Sequence, residues 1–106
     1  MPRIAFYLKL RPGSGEDYDK AHEAVWPEML ALLTSAGISD YSIFRRDELL
    51  FLCMQVDNFD EAWAKIENDP VNTRWQQAMS AYFEPVTAEL RAGERFPMMR
   101  EVFYLP

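Results

Sequence analysis

Apolar and polar side chains alternate along residues 3–11, which is the pattern of a half-buried strand. Every second residue of such a stretch points to the same face of a sheet. The apolar face here consists of Ile4, Phe6, Leu8 and Leu10. The following sequence, Pro12-Gly13-Ser14-Gly15, is rich in turn-forming residues, so we predict that the strand ends there.

The next pattern has helical spacing and predicts a helix from Ser14, as its N-cap, to about Ala36. Pro27 lies inside this range. A proline removes one hydrogen bond of a helix and clashes with the carbonyl group four residues earlier. We therefore expect a kink at Pro27, with the freed carbonyl group of Glu23 beside the side chain of His22.

The remaining patterns predict three strands and two helices, separated by turn-forming residues. In chain order these elements are a strand at 38–46, a strand at 49–56, a helix from Asn58 or Asp60 to about Glu67, a helix from Asp69 to about Phe83, a loop at 87–97 and a strand at 99–105. The strand at 49–56 is apolar on both faces, so we place it near the centre of the sheet. We expect Cys53 and Trp63 in the core.

This order of elements is that of an α+β protein with the ferredoxin-like split βαβ fold, in which an antiparallel sheet carries its helices on one face. The second face of the sheet then also needs a cover. Two sheets that pack face to face across a twofold axis would supply it and would form a dimeric α+β barrel. The apolar terminal strand, with Val102 to Leu105, could pair with the partner or lie along it.

The length and the net charge of the chain limit the classes of function that we expect. With 106 residues the chain is expected to form one domain, residues 1–106, and a net charge of -6 disfavours nucleic acid and anionic membranes as partners. The apolar run at 4–8 is too short for a signal peptide, and the sequence lacks the run of about 18 apolar residues that a membrane span needs. A single cysteine suits a reducing compartment. We therefore expect a cytoplasmic location.

Metal and cofactor chemistry find no support in the sequence. One histidine and one cysteine cannot form a metal-ligand cluster of the usual kind. The glycine-rich nucleotide motifs and the nucleophile elbow are absent as well, so we expect neither a metal nor a cofactor.

His22 is then the main candidate for general acid–base catalysis, because imidazole titrates near neutral pH. The alternative is a core histidine that one carbonyl group satisfies.

Aromatic and hydroxyl side chains accompany this histidine, and together they suit a neutral sugar. A sugar ring packs its C–H face on aromatic rings, and its hydroxyls need definite donors and acceptors. Tyr18 precedes His22 by one helical turn, Tyr41 comes from the next strand, and Trp75 lies on a helix that could close a pocket. The alternative for the two tyrosines is the edge of the core, and for Trp75 the core itself.

Four motifs of the chain resemble those of the L-rhamnose mutarotase family, over nearly its whole length. They are Tyr18-x-x-x-His22-x-x-x-Trp26-Pro27-Glu28, Asp40-Tyr41-Ser42-Ile43, Asp69-Pro70-Val71 followed by Arg74-Trp75, and Glu101-Val102-Phe103-Tyr104-Leu105-Pro106. The resemblance implies a homodimer that interconverts the α and β anomers of a 6-deoxy-L-hexose without metal or cofactor. It also implies that His22 is the proton donor and that Tyr18, Tyr41 and a Trp-Trp pair bind the sugar.

In this chain the Trp-Trp pair reads Trp75-Gln76, so an amide replaces an aromatic ring. We expect Gln76 to bind substrate, and we expect L-rhamnose as the substrate with L-fucose as the alternative. The base that takes the second proton remains open between water, a tyrosine and a carboxylate. Two other classes remain open too. One is an oxygenase, with or without haem, on the same dimeric scaffold, and the other is a sugar-binding protein without catalysis.

Overall fold

Five strands and four helices make up residues 2–106, the part of the chain that the computed structural model describes. The strands are β1 (Arg3–Leu10), β2 (Ser39–Arg46), β3 (Leu49–Gln55), β4 (Phe83–Glu84) and β5 (Met98–Met99). The helices are α1 (Gly15–Ala21), α2 (Pro27–Ser35), α3 (Phe59–Glu67) and α4 (Pro70–Met79). Two short 3-10 turns follow, Ser80–Tyr82 and Thr87–Glu89. Within the same residues, no helix has the length and apolar character that crossing a membrane requires.

All strand pairs are antiparallel, and the strands lie in the order β2-β3-β1-β4, with β5 on the same edge of β1 as β4. This order, with the helices on one face, is the predicted ferredoxin-like split βαβ arrangement, which is thereby confirmed. The central place of β3 is confirmed as well. Its apolar composition on both faces fits a strand that has a neighbour on each side.

The core lies between the sheet and the helices. β1 and β3 contribute alternate residues to it, and the helices contribute the residues that repeat every three or four positions. Its sheet side contains Phe6, Leu10, Leu50, Leu52, Met54 and Val56. Trp63 is only 9% exposed and packs edge-on against Phe6, which confirms that it anchors α3 to the sheet.

Side-chain caps begin the two helices that follow β3. Asn58, one of the two predicted caps of α3, accepts a hydrogen bond from the backbone N–H of Glu61 at 3.0 Å. Asp69 accepts one from the N–H of Val71 at 2.9 Å, and Pro70 takes the first helical position. Such caps satisfy backbone donors that have no partner inside a helix. The first residue of α4, the helix that carries Trp75, is therefore defined by the local sequence.

The single kinked helix predicted for residues 14–36 is wrong, because the structure contains two helices with a break at 22–26. Proline disfavours helical geometry in the preceding residue, and Trp26 has an extended backbone with ψ of 134°. Pro27 instead occupies the first turn of α2, where its missing N–H costs nothing. The break leaves His22 at the C-cap of α1 and not in a helix interior.

The predicted terminal strand at 99–105 is also wrong. The fourth position of the sheet is filled by two separate pieces, β4 beside the end of β1 and β5 beside its beginning. The predicted loop at 87–97 joins these pieces and contains one 3-10 turn. Residues 100–106 have no regular structure and are exposed, although they include the apolar side chains of Val102, Phe103 and Leu105.

In the described part of the chain, no helix covers the second face of the sheet, and this face is partly aromatic. The register places Tyr7 of β1 and Phe44 of β2 on either side of Phe51 of β3, so the three rings form a row. Phe44 is 63% exposed. Cys53 also points to this face and is half-buried, so its predicted place in the core is wrong. Side chains alternate along β3, and its core positions are the even-numbered residues.

Candidate active site

A cavity of about 420 Å³ lies between the helices and the sheet. All five residues singled out from the sequence line it, although they come from α1, β2, α4 and the segment after α1. They are Tyr18, His22, Tyr41, Trp75 and Gln76. Most of the remaining wall is apolar, with Leu52 and Met79 among its residues, which is the usual composition of a small-molecule site.

His22 is half-buried and lines the cavity. Its Nδ1 lies 3.0 Å from the backbone carbonyl oxygen of Tyr18. A carbonyl oxygen only accepts, so Nδ1 carries a proton and donates it in this contact. The partner is not the Glu23 carbonyl expected from the sequence, because the helix ends before that residue. His22 thus has a carbonyl partner and also lines the cavity, while its Nε2 has no hydrogen-bond partner among residues 2–106.

Aromatic rings hold the imidazole in place on two sides. The ring of Tyr18 lies against it with centroids 4.1 Å apart, and the indole of Trp75 meets it edge-on at 5.4 Å. Trp26 packs against Trp75 in turn, at 5.1 Å and 86°. Trp75 is 7% exposed, so most of its surface lies in the core, which is the alternative that the sequence left open. The rest of its surface forms part of the cavity wall.

The hydroxyl groups of Tyr18 and Tyr41 have no protein hydrogen-bond partner within residues 2–106. Since no fully buried polar side-chain atom of the described chain lacks a partner, these hydroxyls must reach open space, which here is the cavity. Burial raises the pKa of Tyr18 to about 12, with a smaller contribution from the charge of Asp19. Burial likewise raises the pKa of Tyr41. Both phenols therefore keep their protons at neutral pH.

Two further polar residues line the cavity, and reasoning from the sequence missed them. Asn72 lies one helical turn before Gln76 on α4 and is the one buried polar residue among residues 2–106. Its position four residues before Gln76 was a usable signal, because residues four apart share a helix face. Among residues 2–106, Glu67 is the one carboxylate that lines the cavity. Arg95 donates to both of its oxygens at 3.3 Å, from a loop distant in sequence, so no local pattern marks Glu67.

Metal ligation is not a feature of this cavity. Across residues 2–106, no cluster of three or more His, Cys, Asp or Glu side chains is placed to hold a metal ion. Among the described residues, the cavity presents a histidine whose Nε2 has no hydrogen-bond partner, two protonated phenols, two side-chain amides and part of the indole of Trp75. These groups can transfer a proton and can donate to or accept from several hydroxyls of one neutral ligand.

Comparison with known proteins gives a consistent result. A family model described as L-rhamnose mutarotase matches residues 3–105. The L-rhamnose mutarotases of Shigella flexneri serotype 5b (strain 8401) and of Escherichia coli O1:K1 / APEC are each 32% identical to this chain, with 100% of both sequences covered. The crystal structure of an L-rhamnose mutarotase from Formosa agariphila is similar with a TM-score of 0.79 and 26% identity, again over 100% of both chains.

A second solved structure shows how widely the fold is used. Tetracenomycin F2 cyclase from Streptomyces glaucescens, a type-II polyketide cyclase, has a TM-score of 0.67 over 99% of this chain and 96% of its own. Its sequence identity of 18% makes this a likeness of fold alone. The family match and the 32% identity both extend along the whole length, and they confirm the resemblance that the four motifs indicated. This chain therefore belongs to the L-rhamnose mutarotase family.

Proposed function

We propose that this protein is an isomerase that interconverts the α and β anomers of L-rhamnose, with His22 as the general acid. The observation that carries the proposal is the free Nε2 of His22 in a cavity that also contains two unpartnered phenol hydroxyls and an indole. Membership of the L-rhamnose mutarotase family supports the reaction. The names of its relatives in Shigella flexneri and Formosa agariphila favour L-rhamnose over L-fucose as substrate.

The reaction needs two proton transfers and no covalent intermediate. A proton from Nε2 of the imidazolium form of His22 reaches the ring oxygen of the sugar, while a base removes the proton of the anomeric hydroxyl. The bond between the ring oxygen and the anomeric carbon breaks, and an open-chain aldehyde results. Rotation about the next carbon–carbon bond exposes the other face of the aldehyde, and the reverse transfers close the ring. Because mutarotation also proceeds in water, acid–base catalysis of about 10²- to 10⁴-fold is sufficient.

The phenols and the indole bind and orient the sugar in this scheme. Tyr18 and Tyr41 keep their protons at neutral pH, so each can donate one hydrogen bond to a sugar oxygen and accept one from a hydroxyl. Trp75 offers an apolar surface for the C–H face of the ring. The tight packing of His22 between Tyr18 and Trp75 restricts the imidazole and keeps Nε2 directed at one position.

The raised pKa values of Tyr18 and Tyr41 also remove tyrosinate from the candidate bases. A water molecule and Glu67 remain. Arg95 donates a hydrogen bond to each oxygen of the Glu67 carboxylate, so both oxygens already have a partner. Water is therefore the acceptor that the cavity favours.

We further propose that the protein is a homodimer formed through the aromatic row of Tyr7, Phe44 and Phe51. Phe51 is 36% exposed at the centre of this row, and Phe44 is 63% exposed beside it. A monomer would leave these rings in water together with the apolar side chains of residues 102–105. A second copy of the chain would bury both surfaces, which favours association.

A cytoplasmic location is part of the same proposal. Cys53 is the single cysteine of the chain, and in the structure it is a free thiol. Free thiols without a disulfide partner suit a reducing compartment.

Exchange between the two anomeric protons, measured by saturation-transfer NMR, tests the reaction directly. We expect the protein to accelerate exchange with L-rhamnose, and less with L-fucose, and we expect His22→Gln to lose this acceleration by at least ~10²-fold. Glutamine can keep a hydrogen bond to the Tyr18 carbonyl, so folding should survive, and circular dichroism checks this. A folded His22→Gln variant with wild-type exchange would refute the role of His22. A wild-type protein that binds the sugar without accelerating exchange would refute the reaction.

A further inference from the structure

Asn72 is the one buried polar residue among residues 2–106. It is 7% exposed, it lies on α4 one turn before Trp75, and it forms part of the cavity wall. Its Oδ1 accepts a hydrogen bond from Nε2 of Gln76 at 3.3 Å, and this is the one partner that its side chain has within residues 2–106. Burial of an amide is unfavourable unless its hydrogen bonds are made. The Nδ2 group of Asn72 is not sealed in the core, since no fully buried polar atom of the described chain lacks a partner.

The Asn72–Gln76 pair leaves a complementary set of groups free. After the contact between them, Nδ2 of Asn72 still has hydrogens to donate, and Oε1 of Gln76 still accepts. If both amides are turned by 180°, the free donor and the free acceptor exchange places, so one of each always remains. A hydroxyl group both donates and accepts, and it can bind to one donor and one acceptor side by side. The pair is therefore suited to one hydroxyl in one orientation.

We propose that Asn72, together with Gln76, is a specificity-determining residue that binds one secondary hydroxyl of the sugar ring. The inference rests on the proposed function and names the part of the site that distinguishes epimers. L-rhamnose and L-fucose differ in configuration at C2 and C4, so a hydroxyl that meets the pair in one sugar points elsewhere in the other. A site built to hydrogen-bond a hydroxyl rejects a ligand that fails to supply it, because its buried polar groups then stay unpaired.

Anomer exchange with a panel of sugars tests the proposal. The panel contains L-rhamnose, L-fucose and the analogues of L-rhamnose that lack the hydroxyl at C2, C3 or C4. For Asn72→Leu we expect a loss of about 10- to 100-fold in kcat/KM for L-rhamnose. We expect a loss of less than threefold for the one analogue that lacks the bound hydroxyl. Because the two sugars differ only at C2 and C4, the bound hydroxyl is one of these two, and the preference for L-rhamnose over L-fucose, measured as a ratio of kcat/KM values, should fall by the same factor.

Three further variants make the test specific. Gln76→Leu should reproduce the pattern of Asn72→Leu, and the double variant should cost little more than either single one, because both residues bind the same hydroxyl. Gln77→Leu is the matched control. It changes the same residue type on the same helix, but Gln77 is exposed and does not line the cavity, so its sugar preference should equal that of the wild type.

The outcomes separate this inference from the proposed function. If the wild-type protein exchanges anomers and Asn72→Leu lowers kcat/KM equally for every sugar of the panel, the inference fails and the proposed function stands. If the wild-type protein accelerates no exchange, the proposed function fails, and NMR titration of the same sugars decides the inference through their affinities. The inference is supported if Asn72→Leu abolishes the preference for one epimer while Gln77→Leu retains it. The inference is overturned if both variants retain the preference, or if the protein binds none of the sugars.

Discussion

Tyr18→Phe offers a quantitative test of the buried phenol, because it removes one oxygen atom and keeps the ring that packs on His22. At neutral pH the hydroxyl has no hydrogen-bond partner among residues 2–106, so its removal should change the free energy of unfolding by less than about 1 kcal/mol. A difference should appear at alkaline pH. In the folded protein Tyr18 loses its proton at a pKa of about 12, and its ordinary value, which the unfolded chain retains, is 10.0.

The size and sign of the effect follow from proton linkage. Between the two pKa values the unfolded chain has released the proton while the folded protein still holds it, so deprotonation favours unfolding and stability falls as pH rises. One pKa unit corresponds to 1.36 kcal/mol, which gives a loss of about 1.4 kcal/mol by pH 11 and about 2 kcal/mol by pH 12. Well below pH 10 the phenol is protonated in both states and contributes no pH dependence.

Urea unfolding followed by circular dichroism at pH 8, 10 and 11 measures this effect. The wild-type protein should lose about 0.4 kcal/mol more than Tyr18→Phe from pH 8 to pH 10, and about 1.4 kcal/mol more from pH 8 to pH 11. Tyr104→Phe changes an exposed tyrosine and should follow the wild-type profile. Parallel profiles of wild type and Tyr18→Phe up to pH 11 would show that Tyr18 ionises at its ordinary value. The argument that burial disfavours the charged form of Tyr18 would then be refuted.

Two further predictions concern the base and the dimer. Glu67→Gln should lower anomer exchange by less than about tenfold, because Arg95 already binds both carboxylate oxygens, whereas a loss of ~10²-fold or more would identify Glu67 as the base. Phe51→Glu should convert the dimer to a monomer in multi-angle light scattering, since it places a charge at the centre of the aromatic row. A wild-type protein that is monomeric at micromolar concentration would contradict the proposed dimer.

The features of this protein that can be read from its sequence are those that depend on neighbours in the chain. Alternation over residues 3–11 predicted β1 and its buried face, because the side-chain period of a strand is two wherever the strand lies. Asn58 and Asp69 begin helices through hydrogen bonds to backbone groups two or three residues away. Helical spacing likewise placed Tyr18 one turn before His22, and both line the cavity.

Other features depend on contacts between distant parts of the chain, and the sequence pattern did not contain them. The apolar residues at 99–105 have the composition of a strand, yet β1 pairs with Phe83–Glu84 and Met98–Met99 because the connection after α4 brings those residues to its free edge. Asn72 was identified as a candidate site residue only from the structure, in which it lines the cavity. Periodicity predicts which residues share a face of a helix or strand. Which element packs against that face depends on the fold of the whole chain, because burial of apolar surface outweighs local conformational preference.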